Sequence, residues 1–366
     1  MGMTVKKIST KIHKWLGIAL SLWLFLVTLT GTLLLYKNEL LKLQYPQLEQ
    51  QDKANQQQAI RVLESGALSE QERYAFVPTD LHPWIESIDD NRGRLYYSPE
   101  GDLLLHRPRY GDWISWFVEF HHHLLLDDFG EELQGILGLL ALIVMITGLI
   151  KWWPKGRFKK RDIAITFSRP TKKKWGQTLW QSHRSLSVVL FLPMLLLVLT
   201  GIGMIYSASF NSGLNILFPQ VPKTVVNYKS QLEEQHKRAE RLPSDWLTRI
   251  REMQKLLPDA QTIMIYLDRD RLRLKLPEEW HPNGRSYVGF VPGTSKLSEV
   301  VDYRNQTLGT KLSHKIYPLH IGEVGGWLYF SLVVISGVSL LWVCLSGVWF
   351  WLWCRAKKKN RKTKKK

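Results

Sequence analysis

Apolar residues fall into four long runs, Trp15–Tyr36, Ile136–Trp153, Leu186–Tyr206 and Trp327–Trp353. Each is near or above the ~20 residues a helix needs to cross a ~30 Å hydrocarbon layer. Trp15, Tyr36, Trp152, Trp153, Tyr206, Trp327, Trp351 and Trp353 crowd their ends, as rings at headgroup depth do. The pattern predicts a mainly α membrane protein with four transmembrane helices. Lys6, Lys7, Lys11 and Lys14 precede the first run, as in a signal peptide. That run is longer than a signal's apolar core and continues into "TGTLLLYKNEL" without a small-x-small cleavage site, which reads as a retained helix.

The polar stretches between the runs alternate over short distances. "RLYYSPEGDLLLHRP" reads as a hairpin turning at Pro99–Asp102, "TIMIYLDRDRLRLKLP" as one turning at Asp268–Asp270, and "YVGFVPGTSKLSEVVDY" as one turning at Pro292-Gly293. A helix capped by Ser244 or Asp245 is expected to run to about Leu257. Small α+β modules within the loops follow. The expected organisation is an N-terminus with the first span (1–36), an outer loop (37–130), a second span (131–153), a basic connector (154–182), a third span (183–206), an outer loop (207–322), a fourth span (323–354) and a basic tail (355–366).

Charge sets the orientation. Lys/Arg number four before the first run, ten in 151–175 and nine in the tail, against Asp162 alone, so the rest of the chain is acidic although the whole is +18. Positive segments stay on the cytoplasmic side. Both termini and the connector are therefore expected inside and the two long loops outside. The basicity is explained by topology and lipid contact, with no nucleic-acid partner. Cys344 and Cys354 lie in the last run, and no CxxCH occurs, which excludes covalent haem attachment.

An internal repeat underlies the runs. "HKWLGIALSLWLFLVTLTG" (13–31) aligns with "HRSLSVVLFLPMLLLVLTG" (183–201) at an offset of 170, matching His13 to His183 and Gly31 to Gly201. The second and fourth runs align at an offset of 199, matching His121 to His320 and Gly148 to Gly347. Two parallel helix–outer loop–helix halves, related by a pseudo-twofold axis along the membrane normal, give each histidine a partner. His13 and His183 belong at the cytoplasmic ends, and His121 and His320 at the outer entrances.

Neutral imidazoles are the usual axial ligands of b-type haem, whereas zinc wants three or four protein ligands. Consecutive helical residues point about 100° apart, so His121-His122-His123 cannot converge on one ion, and His122 is an alternative ligand to His121. One haem near each face, held by His13 with His183 and by His121 with His320, divides the ~30 Å that an electron has to cross. Gly31 lies about five turns, or ~27 Å, beyond His13 on the same stripe; it and Gly201 are candidates for packing against haem or for close helix contact. His314 is a reserve ligand, while His82, His106, His236 and His281 lack a partner pattern.

"HKWLGIALSLWLFLVTLTG" with its Tyr-Lys-x-Glu-Leu exit, "HHHLLLDDFGEELQGILGLLALIVMITGLIKWWP" and "PLHIGEVGGWLYFSLVVISGVSLLWVCLSGVWFWLW" resemble the first, second and last helices of the PepSY-associated transmembrane family. The resemblance implies an iron-regulated inner-membrane protein similar to di-haem reductases that reduce ferric siderophores in the periplasm. Carried over by position, the ligands are His13, His183, His121 or His122, and His320. The outer loops are short for the larger members, and a PepSY-like module is weakly marked in them. Arg107, Arg109 and Trp113, just before the histidine triplet, are candidates to receive a ferric siderophore or other anionic ferric chelate, or form a membrane-interface belt with Tyr110 and Trp116. No GxGxxG follows a strand, so a quinol or a separate cytoplasmic reductase is expected as electron donor. The alternatives are a haem-free permease or accessory subunit of iron uptake, disfavoured by apolar cores without acidic residues, and a sensor or regulatory membrane protein whose loops are the active part.

Overall fold

A computed structural model describes residues 3–49, 55–65, 72–154, 159, 163, 174–222, 225–240 and 242–363. Most of the basic connector lies outside the described residues. The chain divides into two bodies. One comprises Met1–Leu35, Phe117–Tyr206 and Leu319–Lys366, and the other Tyr36–Trp116 and Ser207–Pro318.

The first body is helical. Its elements are α1 (Met3–Leu34), the end of α4 (Trp113–His123), α5 (Asp127–Trp152), α6 (Trp175–Val189), α7 (Phe191–Ile205), the end of α12 (Ile316–Ile321) and α13 (Gly326–Thr363). Helix α1 packs on α5 and on α13, and α13 also packs on α6. Helices α1, α5 and α13 are long and apolar enough to span a membrane, whereas α6 and α7 reach that length only as a pair bent by 69°. The chain is a membrane protein in contact with lipid. Pro193 explains the bend. It has no N–H to donate, and its ring clashes with the carbonyl four residues back. That residue is Val189, where α6 ends.

The second body is built on an eight-stranded antiparallel sheet in the order β4-β3-β2-β1-β5-β6-β7-β8. Strands β1 (Glu72–Phe76), β2 (Ile85–Asp89), β3 (Arg94–Tyr97) and β4 (Leu103–Arg107) form one meander, and β5 (Gln261–Tyr266), β6 (Arg271–Lys275), β7 (Ser286–Phe290) and β8 (Leu297–Val301) the other. They join where Ala75 pairs with Ile265. A helix precedes each meander, α3 (Gln56–Glu64) and α10 (Trp246–Leu256), so the tandem repeat extends into this body. Alternation does the sorting: in β6, Leu272 and Leu274 point inward while Arg271 and Arg273 stay partly exposed. The inward face packs with Ile60 of α3 and Met253 of α10. Asp245 caps α10 by accepting from the Thr248 N–H at 2.8 Å. The remaining helices here are α2 (Lys37–Gln44), α8 (Ser207–Leu217), α9 (Lys229–Ala239) and α11 (Leu308–Ser313).

Two expectations are thereby corrected. The chain is not a mainly α bundle of four transmembrane helices, because among the described residues only three spans are continuous. Nor do the loops fold as small separate modules, because they share one sheet. Its central pairing joins strands nearly two hundred residues apart, which local periodicity does not encode.

Arg92, in the turn from β2 to β3, has an exposed side chain and φ of 61°, a region that disfavours residues with a Cβ. Arg92→Gly is expected to stabilise this body by about 0.5–1 kcal/mol, measured as a higher midpoint in denaturant unfolding.

Candidate functional site

The four histidines aligned by the repeat all lie in the helical body, and each is seated in the same way. Nδ1 of His13 on α1 lies 3.0 Å from the Val144 carbonyl oxygen on α5. Nδ1 of His183 on α6 lies 3.0 Å from that of Val343 on α13. His121, near the end of α4, reaches the Val27 carbonyl of α1 at 3.0 Å, and His320 on α12 bonds the Leu197 carbonyl of α7. A carbonyl oxygen only accepts, so these bonds put the proton on Nδ1 and leave a lone pair on Nε2.

Four residues beyond each carbonyl stands a glycine: Gly148, Gly347, Gly31 and Gly201. A Cβ there would come within 2.9 Å of His13, 3.1 Å of His183, 2.5 Å of His121 and 3.5 Å of His320. The glycines make room for the rings. Each follows a hydroxyl residue, and three of those hydroxyls also approach the ring Nδ1: Thr30 at 3.4 Å from His121, Thr200 at 2.9 Å from His320 and Ser346 at 3.4 Å from His183. Thr147 instead bonds carbonyls of its own helix. The signal was legible as "LTG" (29–31), "ITG" (146–148), "LTG" (199–201) and "LSG" (345–347). Sequence reasoning singled out Gly31 and Gly201 for the stripe of their own helix, whereas the structure seats histidines of a neighbouring helix on them.

The seats bring the rings together in pairs. The centroids of His13 and His183 are 6.3 Å apart, as are those of His121 and His320. Two metal–imidazole bonds of about 2 Å on opposite sides of one ion separate ring centres by roughly 6 Å. Among the described residues, no group of three or more His, Cys, Asp or Glu is placed to hold a metal ion. A bare ion needs more ligands than two, whereas two imidazoles would suffice for a group that brings its remaining ligands itself. From His13 to Val27, the two contacts α1 makes with the pairs, the helix rises ~21 Å.

His122 packs against His121 and His123, at centroid distances of 5.6 and 6.0 Å, while His121 is the one facing His320. The turn after α4 is left-handed at Leu124, Leu125 and Asp127 (φ 49°, 62° and 51°), where the other half uses Gly322, Gly325 and Gly326. Non-glycine residues in that region cost about 1–3 kcal/mol each and persist where surrounding structure over-determines them.

The substrate candidates are placed differently. Arg107 is 2% exposed, and its guanidinium bonds both Asp112 carboxylate oxygens, at 2.7 and 3.0 Å, and also donates to the Tyr96 and Ser115 hydroxyls. Burial alone would raise the Asp112 carboxyl, but the Arg107 and Ser115 bonds hold it below the usual carboxylate range. Arg107 is thus committed to the interior of the sheet body. Arg109 stacks over Tyr110 at 5.0 Å, and Trp113 is 41% exposed.

His314 lies in the sheet body, against Tyr303 at 6.2 Å, and joins neither pair. Burial, then Arg285 and Arg273, push it down to about 4; the same causes push His281, stacked on Tyr317, down to about 2. Both bind protons more readily unfolded, so the unfolded state takes up more protons below pH 6.5. The sheet body is expected to lose on the order of 1 kcal/mol per group for each pH unit as pH falls from about 6.5 to 4, and to show no such slope above it. Thermal unfolding across that range tests this, with His314→Gln flattening part of the slope.

A helical membrane body with paired, ligand-ready imidazoles, built as a tandem repeat that also supplies a sheet body, defines a class of membrane protein. The chain belongs to the PepSY-associated TM region family, whose profile matches residues 10–353. No curated protein matches it.

Proposed function

We propose that this chain is a di-haem b membrane reductase that carries electrons from the cytoplasmic side to the periplasm and reduces ferric siderophores there, releasing iron. The observation that carries the reading is the repeated seat. Four Nδ1–H groups are bound to carbonyls, leaving four Nε2 lone pairs on rings grouped in two pairs, each with centroids 6.3 Å apart. When bound, haem supplies reversible one-electron chemistry at iron, with a potential tuned by its axial ligands and burial.

The chain's own residues do the rest. The carbonyls of Val144, Val343, Val27 and Leu197 fix the tautomer and orientation of each imidazole and make Nε2 more basic. The glycines admit the rings, and the apolar walls of the helices exclude water. One electron converts one ferric chelate to ferrous, which hard oxygen donors hold more weakly, so the polypeptide need offer no acid or base. The basic termini favour the cytoplasmic orientation, and a quinol or a cytoplasmic reductase is the donor.

The test is a reduced-minus-oxidised absorption spectrum of purified protein with haem quantified per chain. The expected result is low-spin b-type bands at about two haems per chain, and ferrous iron appearing when reduced protein meets a ferric hydroxamate in the presence of a ferrous trap. Protein without haem, after expression with ample haem, would overturn the reading in favour of a sensor whose working part is the sheet body.

A further inference from the structure

The last carbonyls of a helix have no partner within it, and the second histidine pair sits on two helices that end just beyond the ligand. In the first half, the His121 carbonyl itself accepts from the Gln134 side-chain amide on α5 at 2.7 Å. The other end of that amide accepts from the Trp23 indole N–H on α1, also at 2.7 Å. Gln134 is 6% exposed, so this is an internal chain linking α1, α5 and the backbone of His121.

The second half does the same work differently. The Tyr329 hydroxyl, from the first turn of α13, donates at 2.8 Å to the carbonyl of Leu319, next to His320. The repeat offsets place Pro193 where Trp23 stands, Val333 where Gln134 stands, and Gly130 where Tyr329 stands. Neither half can therefore use the other's clamp. Pro193, Leu197, Val333 and Tyr329 line a cleft of about 190 Å3 in the second half, in the region the indole and amide occupy in the first. Gly130 cannot carry a side chain, because a Cβ would collide with the His123 carbonyl.

We infer that Trp23 with Gln134, and Tyr329 on the other side, are the positioning residues of the second histidine pair. Each clamp fixes the backbone that presents one imidazole, His121 through a three-residue chain centred on buried Gln134 and His320 through a single phenol. The role rests on the di-haem reading for its consequence, although the clamps themselves do not. The first pair has no share in either clamp, so only one of the two redox centres is expected to respond when they are cut.

The experiment compares wild type with Gln134→Leu, Trp23→Phe, the double variant and Tyr329→Phe. Hydrogen exchange of the full-length protein in detergent is expected to accelerate roughly ten- to hundredfold at the end of α4 in Gln134→Leu, with the double variant no faster because the two side chains form one chain. In haem-loaded protein, Gln134→Leu and Tyr329→Phe are each expected to shift the low-spin resonance signature and midpoint potential of one centre and leave the other unchanged. Unaltered exchange in Gln134→Leu overturns the clamp, whether or not wild type holds haem. Faster exchange with both haem centres unchanged overturns the positioning role but leaves the di-haem reading standing. Equal shifts at both centres overturn it too, because a general loosening of the bundle would then be the cause.

Discussion

On the proposed di-haem reading, Gly31→Leu is expected to reduce the haem content from about two per chain to about one, with none of the four histidines replaced. A Cβ at this position already comes within 2.5 Å of His121 Cε1, and the rest of a leucine side chain would occupy the ring's place. Helix α1 cannot retreat, since it is packed on both α5 and α13. His121 would lose its Val27 bond, and with it the tautomer and direction that leave Nε2 available. His320→Ala should remove the same centre by deleting a ligand, whereas Gly148→Leu should remove the other through His13. Haem quantification with difference spectroscopy separates the cases. Full haem content in Gly31→Leu would show that the seat is dispensable.

Asp112→Ala is expected to destabilise the sheet body by about 3–5 kcal/mol, because it leaves the Arg107 guanidinium charged and buried without its carboxylate. Asp112 also accepts from the Tyr45 hydroxyl at 3.1 Å and the Ser115 N–H at 2.8 Å, so several donors lose a partner together. Replacing both charges, as in Arg107→Met with Asp112→Leu, should recover much of the loss, since a buried pair is often no better than an apolar substitute. Denaturant unfolding measures both variants. If Asp112→Ala kept wild-type stability and altered only chelate reduction, Arg107 would return as a substrate group.

The paired histidines were legible because two chemical rarities coincided: imidazoles at membrane boundaries, and their recurrence at fixed offsets. The glycines were legible as residues but not as seats. Reading Gly31 with His13 assumes that one helix's stripe acts as a unit, whereas a ring is held by the carbonyl and the gap that a neighbouring helix presents. Pro193 stood in plain view inside an apolar run, and hydropathy is blind to the hydrogen bond it removes. Arg107 looked available because sequence shows charge and proximity, not the Asp112 carboxylate that already binds it.

What depends on neighbours along the chain could be read before any fold was known: the apolar runs, the hairpins turning at Gly101 and Gly293, the cap at Asp245, and the tandem repeat. Such features follow from backbone periodicity and local turn chemistry. Three features emerge with the folded chain: the meanders share one sheet through β1 and β5, the third span breaks after Val189, and each imidazole lies over a glycine of another helix. Those outcomes depend on which surfaces meet across long loops. That choice is set by the summed burial and hydrogen bonding of the whole chain, not by any one segment.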